Sequence, residues 1–299
     1  MVVLSGWMEE GIKVQKKSEV IVNLKNFIIR LQLHFKPTRQ TGCIIAMLPT
    51  PSTSHVSFDA VYEPAEDSFL FLDTLSSADE SSWLKRRFAS PSPTPLLVEV
   101  GTGSGVVLGF VAGDSLDILG RRDVVALGID VNREACLATR ETVEKTIRER
   151  QGNSSSSSST GRTEYASSIV ADLCRPICCR SVDVLLFNPP YVPTEDLPVP
   201  AHWSEDTFQR SSYLLALSYA GGEDGMQVTN RLLSDIPGLL TERGVAYVLL
   251  CKQNRPDQIM ERIRAWGGGW MVESVGSSGL RAGWEKLVIL RIWRDHLGS

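Results

Sequence analysis

Between Pro95 and Trp293, short apolar runs take turns with longer stretches of helical spacing, and that alternation restricts the chain to few architectures. "PLLVEV" (95–100), "VVALGIDV" (124–131), a run near "SSIVADL" (167–173), "VDVLLF" (182–187) and "GVAYVLLC" (244–251) read as strands, being short and almost continuously apolar. Segments with a period near 3.6 separate them at 105–120, 132–150, 225–240 and 255–267, the second opened by Asn132 as a cap. Apolar strands alternating with helices predict an α/β fold, a doubly wound and mostly parallel sheet covered on both faces. Two more strands, at 271–275 and 285–293, have only "GSSGLRAG" between them, which predicts an antiparallel edge hairpin and a seven-stranded sheet.

Around this core the chain changes character. Residues 1–46 carry seven Lys/Arg against three Glu, with the apolar patch "FIIRLQLHF", and differ in composition from residues 47–299. They read either as a basic leader or as a segment outside a working protein that begins at Met47; Glu9, Glu10 and Glu19 weaken the leader reading. Residues 47–299 then form a single domain. "GNSSSSSSTGR" (152–162) cannot bury enough apolar area to offset ordering entropy and reads as a disordered surface insertion. No apolar run approaches the roughly 18 residues a membrane crossing needs, and the expected location is the cytoplasm, with the nucleus also compatible. The formal charge of -4 offers no general attraction to phosphate, so nucleic acid is not an expected partner. Cys174, Cys178 and Cys179 form one irregular cluster with no second half, so no metal site is expected.

In a doubly wound sheet, ligands sit beyond the carboxyl ends of the strands, and the first strand ends in "EVGTGSG" (99–105). A dinucleotide fingerprint would place glycine at position 106, where Val106 stands, so a pyrophosphate cradle fits poorly. The register of Gly101, Gly103 and Gly105 resembles the loop of S-adenosylmethionine (SAM) methyltransferases, whose cofactor is cationic. Glu99 could then help hold its amino-acid end through the loop or bound water. Asp130 closes the second strand, where a carboxylate can accept both ribose hydroxyls. Asp172 and Leu173 end the third, an acceptor and an apolar contact for an adenine ring. Asn188 comes directly after the fourth strand in "NPPY" (188–191). Pro189 and Pro190 remove N–H donors, so the loop presents carbonyl oxygens and the Asn188 side chain. The Asn188 oxygen and the Pro189 carbonyl could accept from both N–H groups of a planar amide or aromatic amine, with Tyr191 packed on the flat group. The motif alone leaves adenine and an amide open.

Three further stretches carry a family resemblance. "VYEPAEDSFLFLDTL" (61–75), "EVGTGSGVV" and "SYAGGEDGMQVTNRLL" (218–233), with "NPPY", are similar to the eukaryotic HemK-like release-factor glutamine methyltransferases over about residues 47–295. The resemblance implies a class I SAM-dependent methyltransferase fold and N5-methylation of the glutamine in the Gly-Gly-Gln loop of the class 1 translation release factor. It also implies a heterodimer with a small zinc-binding activator protein. Ser68 takes the cofactor-adjacent position where the family often has Thr; Glu99, Gly101, Asp130, Asp172 and Leu173 match cofactor contacts, and Asn188, Pro189, Pro190 and Tyr191 match the catalytic motif. In physical terms "EPAEDS" reads as a helix start, with Glu66 and Asp67 in the first turn and a stripe of Phe69, Leu70 and Leu72. "AGGEDG" (220–225) reads equally as a helix-capping turn or as a substrate-shaping one. The strand "VVALGIDV" or its neighbour could offer an exposed apolar edge to the activator, with core packing the default reading of such a run. Methylation of adenine in nucleic acid or of protein lysine, and a catalytically inactive SAM-binding assembly partner, are the alternatives.

Overall fold

The computed structural model describes residues 47–152, 161–198, 207–279 and 286–295. The expected leader, most of the serine insertion and most of the turn between the last two strands lie outside those residues.

Helices α1 (Glu66–Ser76) and α2 (Ala78–Arg87) come first. The strand–helix alternation continues as β1 (Leu96–Val100), α3 (Val106–Gly113), α4 (Ser115–Leu119), β2 (Val125–Asp130), α5 (Arg133–Gln151), β3 (Glu164–Val170) and β4 (Val182–Phe187). Then come α6 (Thr207–Tyr219), α7 (Gln227–Leu239), β5 (Leu240–Cys251), α8 (Pro256–Arg264), β6 (Trp270–Ser277) and β7 (Leu287–Arg294). The seven strands lie in the order β3-β2-β1-β4-β5-β7-β6. β1 to β5 pair in parallel, while β7 runs antiparallel to both β5 and β6. The doubly wound sheet and its antiparallel end are therefore as the alternation predicts, with β6 at the rim.

Pleating explains why the strands are apolar throughout. On β4 and β5, Val184, Leu186, Val245, Tyr247 and Leu249 face a core that includes Phe71, Leu84, Val111 and Ile147. Leu185, Phe187, Ala246, Val248 and Leu250 face the other core, with Leu232, Ile236, Ile259 and Ile263. Successive side chains point to opposite faces, and both faces are covered by helices.

Several elements depart from the sequence reading. The helix expected over 105–120 breaks at Asp114, whose carboxylate takes Arg150 Nη1 at 2.9 and 2.7 Å. The third strand begins at Glu164 and ends at Val170, so Asp172 and Leu173 sit in the loop beyond it. On α1 the buried apolar face is Phe71, Leu72 and Leu75, whereas Phe69 is exposed. Helices α2 and α6 carry no apolar stripe strong enough to announce them in sequence. α2 buries only Glu80, Ser81 and Leu84, and it is tied down by charge. Glu80 takes Arg291 Nη1 at 2.9 Å on each oxygen and the Tyr247 hydroxyl at 2.5 Å. The Arg291 guanidinium also lies 4.2 Å from the ring centroid of Trp83 and 4.6 Å from that of Trp293.

Candidate active site

Register brings the functional strand ends together. Val100 pairs with Ile129 on one side and Phe187 on the other, so Gly101, Asp130 and Asn188 emerge side by side. Strand order reverses at β1, with β2 on one side and β4 on the other, and the turns leaving these strands diverge to open a crevice. A cavity of about 300 Å³ occupies it. Ser68, Glu99, Gly101, Gly103, Asp130, Asp172, Leu173, Asn188 and Pro190 line it; Gly105, Pro189 and Tyr191 do not.

Gly105, expected as a cofactor contact, serves packing instead. It has φ 77°, and a Cβ on it would lie 2.6 Å from Thr139 Cα. Gly109 and Gly113, each one turn further along, would meet the Thr142 and Thr146 methyls at 3.3 and 2.7 Å. This seam lets α5 approach α3, and α5 in turn holds the loop through Thr139 Oγ1 to the Gly103 carbonyl (3.3 Å) and Thr142 Oγ1 to the Ser104 carbonyl (2.6 Å). Because the residue before α3 has no side chain to cap it, Glu99 supplies the acceptor from below, taking Leu108 N–H on Oε2 at 2.9 Å.

Asp130 is built into the same loop. Its Oδ2 accepts Gly103 N–H at 3.0 Å and its Oδ1 accepts Asn132 N–H at 2.8 Å, with the Val131 N–H a third donor to the carboxylate, which leaves it room for one further hydrogen bond. Asn132 caps α5 as predicted, accepting Glu134 N–H at 2.9 Å. Asp172 is not a free acceptor: Arg231 of α7 donates to its Oδ2 at 2.5 Å and Arg175 lies 3.6 Å away. Leu173 is buried and left-handed (φ 52°), a strain of roughly 1–3 kcal/mol for a non-glycine residue.

The Asn-Pro-Pro-Tyr turn is fixed from behind. Tyr191, expected against the substrate, packs instead on the core face shared with Phe71 and Val107. Its carbonyl accepts Asn254 Nδ2–H at 3.0 Å, and the same amide group reaches the Asp224 carbonyl at 2.9 Å. Val192 bridges to Ala220, so "AGGEDG" lies along the turn. A Cβ on Gly221 would lie 2.4 Å from the Pro190 oxygen, and one on Gly225 would lie 2.0 Å from the Tyr191 oxygen. These glycines therefore admit the turn's backbone, a role sequence reasoning does not assign; neither does the sequence single out Asn254.

Asn188 presents its Oδ1 buried and without a hydrogen-bond partner. Asp67, which in sequence reads as a helix-terminus charge, is buried at 4% exposure and part of the cavity wall, and the Asn188 side chain partly offsets the rise that burial gives its carboxyl. Burial pushes the Asp67, Glu99 and Asp130 carboxyls above their usual range, Glu99 well above it, and backbone or side-chain donors offset this only partly. No Lys or Arg pairs with these three among the described residues. The cavity thus favours a cationic ligand at one end and, at the Asn188 oxygen, a group that donates a hydrogen bond.

A glycine turn after β1, a carboxylate closing β2, an Asn-Pro-Pro-Tyr turn after β4 and this seven-stranded topology define a class I, Rossmann-like methyltransferase. No protein-family model matches the chain. The eRF1 methyltransferase catalytic subunit mtq2 of Schizosaccharomyces pombe is 33% identical over 83% of this chain and 96% of its own length. Methyltransferase HEMK2 of Homo sapiens is 30% identical over 82% of this chain and 97% of its own length. The chain belongs to this Mtq2/HEMK2 family of methyltransferases. Among solved structures, the E. cuniculi Mtq2–Trm112 complex is 20% identical, covering 79% of this chain and 99% of that chain, with a TM-score of 0.46.

Proposed function

We propose that this chain transfers a methyl group from SAM to the side-chain nitrogen of the glutamine in the Gly-Gly-Gln loop of the class 1 translation release factor. The observation that carries this reading is the unpartnered Asn188 Oδ1, held in the wall of a cavity whose other end is lined by Glu99, Gly101, Gly103 and Asp130. A relative of 33% identity is named an eRF1 methyltransferase. The residues fit SAM: the glycines leave room for close approach, Asp130 keeps an acceptor site for a ribose hydroxyl, and the uncompensated carboxylates suit a sulfonium and an ammonium. When bound, SAM supplies an electrophilic methyl group on a positively charged sulfur. The protein's task is then orientation. Accepting an amide N–H at Asn188 helps draw the nitrogen lone pair out of conjugation, and holding it in line provides most of the acceleration such a transfer needs.

The same reading includes a small zinc-binding activator subunit. A relative is named a catalytic subunit, which implies a companion. β2 is interior to the sheet, so its neighbour β3 is the edge, and Val170 (54% exposed) ends that edge strand. Such an apolar edge suits strand addition or an apolar partner. Cytoplasm, with some protein in the nucleus, is the location consistent with a release-factor substrate.

The test is transfer of labelled methyl from SAM, with the activator present, to the release factor, to its Gln-to-Ala variant and to adenine-containing oligonucleotides. Label on the release factor that the Gln-to-Ala change abolishes is the expected result. Label on the oligonucleotides alone would reassign the acceptor to adenine.

A further inference from the structure

Ser, Thr, Asp and Asn all cap a helix through a side-chain oxygen, but among them Asn alone also carries an NH2 group. At Asn132 both halves of the amide are in use. Its Oδ1 caps α5 on Glu134 N–H at 2.9 Å, and its Nδ2 donates to the Ala60 carbonyl at 2.7 Å, 72 residues earlier in the chain. Its backbone N–H is the donor to Asp130 Oδ1 at 2.8 Å. One buried residue thus joins the carboxylate that closes β2, the start of α5 and the segment ahead of α1.

That segment lies lengthwise on α5. Near the far end of the helix, Arg150 Nη2 donates to the Pro49 carbonyl at 2.6 Å. Pro51 is buried over the seam of α3 and α5, its Cγ 3.7 Å from where a Cβ on Gly109 would stand. His55 Nε2 lies 3.3 Å from the Ala138 carbonyl oxygen and 3.2 Å from the Thr142 hydroxyl. The bond from Asn132 to Ala60 comes last, at the start of the helix. There the segment becomes cavity wall, since Ala60, Val61 and Tyr62 line the cavity together with Asn132.

We propose that Asn132 is a positioning residue for the cofactor, which fastens residues 60–62 as a wall of the SAM site beside Asp130 and so slows the loss of bound SAM. The inference rests on SAM as the cofactor of the proposed function and is independent of the acceptor. Asn132 acts through Ala60, so the group that matters is its NH2 and not its capping oxygen. A wall already held in place before binding adds affinity because less has to be ordered when the ligand arrives.

Asn132→Ser separates the two roles. Serine keeps the cap with its one oxygen and has no NH2 for Ala60, whose half-buried carbonyl water can then reach. In the full-length protein with the activator, the Kd for SAM by calorimetry should rise roughly three- to tenfold, the net worth of one hydrogen bond. The KM for SAM should rise with it, while kcat at saturating SAM and the melting temperature without SAM stay near wild type. Without ligand, the backbone amides of Val61 and Tyr62 should exchange hydrogen faster in the variant, and those of α5 should keep their protection. In wild-type protein, which needs no variant to fold, bound SAM should slow exchange at the same two amides. Wild-type SAM affinity in Asn132→Ser overturns the proposal, as does exchange at residues 61 and 62 that SAM leaves unchanged in the wild type. Weaker binding with unaltered exchange there also overturns it, by making Asn132 a direct contact of the cofactor; weaker binding with α5 unprotected does so by making the loss one of the cap. Wild-type protein that binds SAM yet leaves the release factor unlabelled refutes the proposed acceptor instead, and this inference stands.

Discussion

At Asn188 a single oxygen carries both a cost and a purpose. A buried acceptor with no partner is worth about 1–3 kcal/mol against stability, and that energy returns only when an N–H arrives. Asn188→Ala should therefore bind SAM as the wild type does, melt no lower, and lose methyl transfer by roughly a hundredfold or more. Titration calorimetry, thermal melting and a labelled-methyl assay check the three parts; a variant with near-normal turnover would show that the motif does not orient the acceptor. The buried carboxylates add a pH effect. Glu99 and Asp130 have folded-state pKa values raised above 4.5 and 3.8, so from those values up to the raised ones the folded protein holds more protons than the unfolded chain. Stability of the ligand-free protein should accordingly fall as pH rises through that window. A cationic ligand favours the ionised forms, so SAM binding should release protons and tighten as pH rises; calorimetric heats that do not depend on buffer ionisation enthalpy would contradict this. Most of the cavity wall is legible in sequence, because strand-end residues in a doubly wound sheet converge by topology. Asp67 is not, although a signal exists: position 67 falls on the same helical face as Phe71 and Leu75, where a carboxylate needs a reason. Tyr191 is legible as part of a motif but not in orientation, since aromatic character suits a core as well as a substrate.

The elements behind the site determine how far it tolerates change. The close approach of α3 to α5 depends on Gly105, Gly109 and Gly113 meeting threonines. Gly105→Ala adds a methyl where Thr139 Cα stands and places an L side chain at φ 77°. A loss of about 1–3 kcal/mol, with weaker SAM binding as α5 carries Asn132 and the glycine loop away, should appear in denaturant unfolding and calorimetry. Asn254→Ala removes the clamp on the Tyr191 and Asp224 carbonyls. It should cost about 1–3 kcal/mol and reduce turnover while SAM affinity is retained, since the cofactor end is anchored elsewhere. Helices with clear apolar periods are readable to within a few residues. α2 and α6 escape such a reading because neither declares itself locally: α2 is held by Glu80 and Trp83 meeting Arg291, a partner some two hundred residues distant in sequence.

At the scale of the whole molecule, the end of the sheet away from the cavity is locked by charge. Arg291 is buried at 7% exposure, with Glu80 on one side and Glu273 on the other. Arg291→Leu leaves Glu80 buried without its cation, and a loss of about 3–5 kcal/mol is expected in urea unfolding. A small change would mean that Glu80 finds water or a proton at little cost. Alternation of strands and helices makes the sheet legible, as it does the antiparallel end, yet the insertion of β7 between β5 and β6 is a matter of tertiary pairing that periodicity does not encode.

That insertion has a consequence for synthesis. β6 leaves the ribosome before β7 but has no place in the sheet until β7 arrives, and β5 keeps an open edge for the same interval. A nascent chain halted before Leu287 would carry the glycine loop, the Asn-Pro-Pro-Tyr turn and the residues of the cavity wall, and would still lack the strand whose Arg291 pairs with Glu80 of α2. Chemistry is encoded early and closure late, so such a chain is at risk of aggregating until the final strand is made.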